Sequence, residues 1–212
     1  MKKNIYSLLA VIVVSIILIQ YRANYSDLKP PRTIKITTYD ALGYYMYLPS
    51  IFIYNDVRDL DWFPEIDKKY AVSGGWVYQA NKHTNGNYVF KYFGGVAITQ
   101  LPWFIIGHAI ALNTNYEADG FSPPYQYAIG FGMIIYIILS LFLLRHILLR
   151  YYNDSTVAIT LLLLMLASNA IQYASIDNAQ SHAAIFPLYV LLLYATIKWH
   201  EQPKIVWAAL TG

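Results

Sequence analysis

Apolar runs that contain no charged residue constrain this chain more than any other feature. Four stretches, 5–21, 123–144, 155–176 and 178–197, have no Asp, Glu, Lys or Arg. Each is close to the ~20 residues that a helix needs to cross a hydrocarbon core of about 30 Å. In lipid a helix satisfies its own backbone, which an open strand cannot do. The pattern therefore predicts an all-α membrane protein, a polytopic helical bundle. Composition agrees: 57% of residues are hydrophobic and 13% charged, where a soluble domain carries about 25% charge. The net charge of +3 is small and the bases are scattered, so nucleic acid is not an expected partner. The chain has no cysteine, which excludes disulfides and thiolate metal sites.

The first run follows two lysines in "MKKNIYSLLAVIVVSIILIQYR". A cleaved signal peptide has the same shape, but "IQYRANYS" offers no small-x-small cleavage site, so an uncleaved signal anchor is the better reading. A fifth run, "YFGGVAITQLPWFIIGHAIAL" at 92–112, is long enough to span but is interrupted by Gly94, Gly95, Pro102 and Gly107. Basic residues near spans favour the cytoplasmic side. If 92–112 does not span, Lys2, Lys3, Arg145, Arg150, Lys198 and Lys204 all fall inside. If it spans, Arg145 and Arg150 fall outside. The first arrangement is preferred, with 92–112 re-entrant or interfacial.

The expected organisation is a signal-anchor helix at 1–21, then an exoplasmic loop at 22–126 carrying juxtamembrane helices. Three transmembrane helices follow at 127–198, then a cytoplasmic turn at 199–212. The closing "IVWAALTG" is eight residues long, too short to cross. It reads as the start of a further helix in a longer protein, or alternatively as an interfacial tail. The expected location is a bacterial inner membrane, multi-pass, with the N-terminus cytoplasmic.

The loop is not a charge tail. It holds nine Lys/Arg and nine Asp/Glu, with fifteen tyrosines and tryptophans. Such rings favour the headgroup level of a bilayer, so the loop is expected to lie folded on the surface, with a short helix over 41–54. In "TYDALGYYMYLP" Asp40 has two readings. It could cap that helix, accepting backbone N–H bonds. It could instead be a carboxylate at the water–lipid boundary that takes a proton from a nucleophile. Lys91, in "YVFKYFGG", could snorkel at the interface or contact a lipid phosphate beside a bare Gly-Gly backbone. In "YASIDNAQSHAAIFPLYVLLLY", Asp177 and His182 flank the outer end of a span, where an ionisable group is a functional candidate. A polar cap plus one satisfied histidine is the structural alternative. His108 is a lone histidine on an apolar stretch. Asp56, Asp59 and Asp61 are assigned to solvated loop, and "ADGFSPP" reads as a turn into a span. No Gly-rich nucleotide loop, zinc-protease helix or nucleophile elbow occurs.

The order of these pieces resembles the N-terminal part of the GT-C glycosyltransferases, polytopic enzymes similar to the protein O-mannosyltransferases and the lipid A aminoarabinose transferases. The matching pieces are the anchor, "YDALGYYMYLP", "KYFGGVAITQLPWF", "LFLLRHILLRYY" and "IDNAQSHAAIFPLYVLLLY". The resemblance implies transfer of a sugar from a polyprenyl-phosphate donor to a glycan, lipid or protein acceptor at the exoplasmic face. By similarity, Asp40 is the first-loop acid that acts as base or metal ligand, and Lys91 contacts the donor phosphate. Tyr44, Tyr45, His182 and Asp177 join them as substrate-binding candidates. His182 stands where relatives often place an acid, and Asp40 is followed by Ala41 where many relatives carry a second acid. The cofactor is therefore open, a divalent cation being the candidate. The competing reading is a non-enzymatic membrane protein, a transporter or assembly subunit whose exoplasmic loop binds a partner. A transporter should carry ionisable residues mid-span, and here the acids gather in the loop.

Overall fold

The computed structural model describes residues 4–28 and 35–211. Lys2 and Lys3, on which the inward placement of the N-terminus rests, lie outside them. The architecture is helical. In order come α1 (Ile5–Leu28), α2 (Asp40–Tyr45), α3 (Tyr47–Phe52), α4 (Phe63–Tyr70), the strands β1 (Ala80–Lys82) and β2 (Tyr88–Phe90), then α5 (Gly95–Leu112). They are followed by α6 (Pro123–Leu148), α7 (Asp154–Leu166), α8 (Ala170–Ser175), α9 (Ser181–Glu201) and α10 (Ile205–Thr211). The two strands pair antiparallel, Ala80 opposite Phe90 and Lys82 opposite Tyr88. This small hairpin was not expected from the sequence.

Among the described residues, four helices are long and apolar enough to cross a membrane: Ile5–Tyr25, Gly95–Leu112, Pro123–Leu148 and Ser181–Glu201. They differ from the four expected runs at two places: Gly95–Leu112 qualifies by length and hydropathy, and 155–176 does not. The run 155–176 is not a single helix. It is interrupted between α7 and α8, where Ala167 leaves helical geometry at φ −102°. Ser168 Oγ donates to the Leu164 carbonyl at 2.7 Å and accepts from the Ala170 N–H at 3.1 Å, ending one helix and starting the next. A serine that bonds locally competes with the helix ladder in this way.

Polar contacts at two levels set the helix directions. At one end Asp154 accepts from the backbone N–H groups of Tyr6 and Ser7 at 2.8 and 3.0 Å. Arg145 donates there to Ser7 Oγ and the Asn4 carbonyl, and Arg150 pairs with Glu201. At the other end Arg22 donates to the Ile176 carbonyl at 2.8 Å, and Asn178 donates to the Gly130 carbonyl at 2.6 Å. So α1 and the α7–α8 pair run one way, and α6 and α9 run back. Tyr6 to Arg22 rises roughly 24 Å as a straight helix, whereas Asp154 to Ser175 would rise about 32 Å. The interruption at Ala167–Asn169 takes up the excess.

Two apolar cores share α6. Val11, Val14 and Leu18 pack with Ile134, Ile137, Leu141, Val157, Leu161 and Met165 in the bundle. Above them the segment 36–121 folds over its own core of Leu42, Tyr45, Met46, Trp62, Phe63, Phe104 and Phe121, closed against Tyr125, Ile129 and Met133 of α6. The helix expected over 41–54 is two short helices broken at Met46. The loop is thus a folded cap, anchored where Gln126 Oε1 accepts from the Ile36 and Thr37 N–H groups at 2.8 and 3.1 Å.

Helix α5 packs mainly on α6, and with fewer contacts on α2, α3 and α9. Close approach depends on glycine. A Cβ on Gly107 would come within 2.8 Å of Tyr125 Cα, and one on Gly132 would run into the Trp103 ring. These contacts and Trp103 against Tyr136 fall on the cap-side part of α6. Among the described residues, no hydrogen bond or ring contact ties α5 to the end of the bundle that holds Asp154 and Arg145.

Candidate functional site

Asp40 opens α2, and the backbone just before it is unusual. Tyr39 has φ 52° and ψ −122°, a region that a bulky residue seldom occupies. The conformation is held from outside: Tyr39 N–H donates to the Val72 carbonyl at 2.8 Å, and Gln79 Nε2 donates to the Tyr39 carbonyl at 2.9 Å. Strained backbone of this kind costs about 1–3 kcal/mol and persists where surrounding structure enforces it. Its consequence here is to aim the first residue of α2.

The N-cap position belongs to Tyr39, and α2 has no side-chain cap hydrogen bond. The capping reading of Asp40 is therefore overturned. Its Oδ1 instead accepts from Tyr92 Oη at 2.7 Å and from Tyr78 Oη at 3.2 Å. Among the described residues Oδ2 has no hydrogen-bond partner, and the side chain is exposed. Burial, then the Asp40 charge, push the Tyr78 hydroxyl up to about 12. Burial and the hydrogen bond to Asp40 raise Tyr92 further. Both phenols thus stay protonated at neutral pH and remain donors. One carboxylate oxygen is held by the two phenols and the other faces solvent.

Tyr92 reaches Asp40 because α2 contains Gly43. A Cβ there would collide with the Tyr92 ring, so glycine lets the ring lie flat on the helix. Tyr44 meets the same ring edge-on at 4.7 Å. Its hydroxyl donates to Ser181 Oγ at 3.2 Å, tying the site to the first turn of α9. Lys91 leaves the end of β2, where its N–H donates to the Gln79 carbonyl at 2.9 Å. Its Nζ sits 5.9 Å from the centre of the Tyr78 ring. Among the described residues Lys91 has no carboxylate within ion-pair distance. Tyr78 is therefore flanked by a carboxylate and an ammonium group that do not neutralise each other in a direct pair.

The other candidates lie elsewhere. Tyr45 is fully buried, edge-on to Phe104 and Phe121, and its hydroxyl donates to the Gly120 carbonyl. It is part of the cap core. Asp177 accepts from Gln172 Nε2 at 2.8 Å. His182 stacks on Tyr173 at 4.2 Å and borders a small apolar cavity of about 190 Å³ with Met165, Asn169 and Phe186. His108 stacks on Phe104 and contacts Tyr125 Oη at 2.5 Å. Asp56 accepts from the N–H groups of Arg58, Asp59 and Asp61, so it folds its own turn. Among the described residues no three His, Asp or Glu side chains come together in a way that could hold a metal ion.

Asp40, Lys91 and Tyr44 are thus brought together, while Tyr45, Asp177 and His182 are not. Sequence reasoning missed Tyr78, Tyr92 and Ser181. No local signal marks them, since Tyr78 and Tyr92 lie 38 and 52 residues from Asp40. No family model, no curated protein and no solved structure matches this chain.

Proposed function

We propose that the chain carries the catalytic loop of a membrane glycosyltransferase of GT-C type. The helices α1, α6, α9 and the α7–α8 pair cross the bilayer, and the cap lies on the exoplasmic surface with α5 interfacial. The sugar donor is a polyprenyl phosphate or diphosphate, whose reactive group sits at headgroup level. The observation that carries this reading is Asp40. It does not cap its helix, it is aimed by a strained residue, two protonated phenols hold one of its oxygens, and the other is open.

In the transfer, Asp40 Oδ2 takes the proton of an acceptor hydroxyl as that oxygen attacks the anomeric carbon. The bond between that carbon and the phosphate oxygen breaks, and its electron pair leaves on the phosphate. A positioned base contributes about 10²–10⁴-fold. Lys91 stabilises the departing phosphate charge as a point cation. Tyr78 and Tyr92 orient the carboxylate by donating to Oδ1.

Asparagine keeps the acceptor oxygen for Tyr78 and Tyr92 but has no charge with which to take a proton. Asp40→Asn should therefore insert and melt like the parent while transfer falls about 10²-fold or more. The assay is transfer from synthetic undecaprenyl-phosphate mannose, glucose and N-acetylglucosamine in proteoliposomes. Lys91→Ala should weaken donor use and Lys91→Arg should partly restore it. Unchanged transfer in Asp40→Asn would remove Asp40 from the chemistry. Unchanged transfer in both Lys91 variants would leave that lysine an interfacial anchor.

A further inference from the structure

Residues 73–79 are built to hold one side chain out. Asp67 in α4 is only 6% exposed, and it spends its carboxylate on the loop, accepting from Ser73 N–H at 2.6 Å and Gly75 N–H at 2.5 Å. Ser73 Oγ donates to the Trp76 carbonyl at 2.7 Å. Gly74 and Gly75 have φ of 80° and 105°, and a Cβ on either would meet nothing within 4 Å. Glycine is there for the backbone angle, which costs chain entropy on folding. A buried carboxylate costs desolvation as well. What these devices display is the Trp76 indole, 65% exposed, which returns little of its hydrophobic potential to the fold. Burial would favour a tryptophan turned inward.

Trp76 forms one wall of a cleft of about 880 Å³, with Tyr88, Asp59, Asp61, Lys68 and Lys82 among its other walls. That volume lies in the range of small-molecule sites, roughly 300–1,000 Å³. With the Asp67 carboxylate committed to the loop, the remaining charges are two acids and two lysines. A balanced lining has no net field to draw a polyanion or a polycation. It does offer acceptors and donors together, the complement of a ligand rich in hydroxyl groups. The flat indole supplies an apolar face against which the C–H side of a sugar ring can pack. The wall also points somewhere. Trp76 lies 5.4 Å from the Tyr78 ring, and the Tyr78 hydroxyl donates to Asp40.

We infer that this cleft binds an uncharged saccharide and presents it toward Asp40 as the acceptor, an assignment that rests on the transferase reading above. An anchor for lipid headgroups is the rival use of an exposed tryptophan. A headgroup contact does not require the carboxylates of Asp59 and Asp61 that line the same cleft.

The test uses the full chain in nanodiscs of phosphatidylethanolamine and phosphatidylglycerol. Maltotriose, cellotriose and tri-N-acetylchitotriose are titrated by saturation-transfer NMR. At least one should receive saturation on its ring C–H protons. Trp76→Ala should weaken that binding by about tenfold or more, the scale of losing one aromatic platform, and Trp76→Phe should restore part of it. Asp59→Asn should weaken it without moving the melting temperature. Binding by none of the three saccharides, or binding indifferent to Trp76→Ala, overturns the assignment. So does quenching of Trp76 fluorescence by brominated lipid, read as the loss of a quenched component in Trp76→Phe. The two readings fail separately. Saccharide binding that depends on Trp76 while Asp40→Asn leaves transfer intact keeps the cleft and removes the transferase, and the converse removes only the cleft.

Discussion

Helix α5 and the α7–α8 pair are both apolar stretches of roughly a membrane's thickness, and they behave in opposite ways. The sequence of α5 is broken by Pro102 and Gly107, yet it forms one helix of 18 residues. The sequence of α7–α8 has neither proline nor glycine, yet its helix is interrupted. The proline ring is exposed, and two residues earlier Gln100 Nε2 ties α5 to the chain just before α9 by donating to the Ala179 carbonyl at 2.8 Å. The interruption in the other stretch arises because both of its ends are pinned, at Asp154 to α1 and at Ser175–Ile176 to Arg22. Continuity thus follows from what the ends are tied to as much as from breaker residues.

The two stretches also differ in what they pack against. The pair α7–α8 reaches both polar levels of the bundle. Helix α5 buries Ala97, Gln100, Phe104, Gly107 and Ala111 against the cap and the upper part of α6. It leaves Ile98, Ile105, Ile106 and Ile110 exposed. An exposed apolar face of this kind meets lipid whether a helix spans the bilayer or lies along it. Hydropathy places α5 among the candidate spans and α7 below the length threshold. The arrangement proposed above reverses these two assignments, and labelling decides between them.

The largest effect tests depth itself. The chain lacks cysteine, so a single cysteine at Asn153 reports the side of the α6–α7 turn. With α5 interfacial, labelling of Asn153→Cys should come only from the cytoplasmic side, and labelling of Phe93→Cys, 89% exposed at the start of α5, only from outside. Labelling of Asn153→Cys from outside intact cells would make α5 a span and exchange the roles of the two stretches.

A smaller effect concerns the docking of α5. Gly107→Leu places side-chain atoms against the Tyr125 backbone, which cannot move aside as a flexible side chain would. Overpacking of this kind costs about 1–3 kcal/mol, read as a lower melting temperature in detergent. Gly95→Ala, where a Cβ meets nothing within 4 Å, should melt like the parent. Equal melting of both variants would mean that α5 is not docked on α6.

The smallest concerns the pin on α7. Asp154→Ala leaves the Ser7 hydroxyl and two backbone N–H groups without their acceptor. At this partly exposed site water replaces much of the loss, so a small fall in melting temperature is expected, and Asp154→Asn should recover part of it. No change in melting for Asp154→Ala would separate the interruption at Ala167–Asn169 from the pinning of α7.

Much of the bundle was legible. The runs 5–21, 123–144 and 178–197 each contain most of a long helix, because apolar composition over that length leaves the backbone few ways to satisfy itself. Asp40 and Lys91 were legible as candidates because charges beside tyrosines are rare in a chain with so little charge. Tyr45 was misplaced among the substrate contacts because consecutive helix residues project about 100° apart. Tyr44 points to Ser181 and Tyr45 into the cap core.

What the sequence alone determined is which stretches are mainly helical, since helical hydrogen bonds link residues four apart; it did not determine where 41–54 and 155–176 break. Only the tertiary structure decided that Asp40 is not a cap and that Tyr78 and Tyr92 hold it. It alone decided, too, that Trp76 stands at the edge of a cleft. Each of these depends on contacts between segments far apart in the chain, and such contacts exist only when Gly43, Gly107 and the Asp67 loop let the surfaces meet.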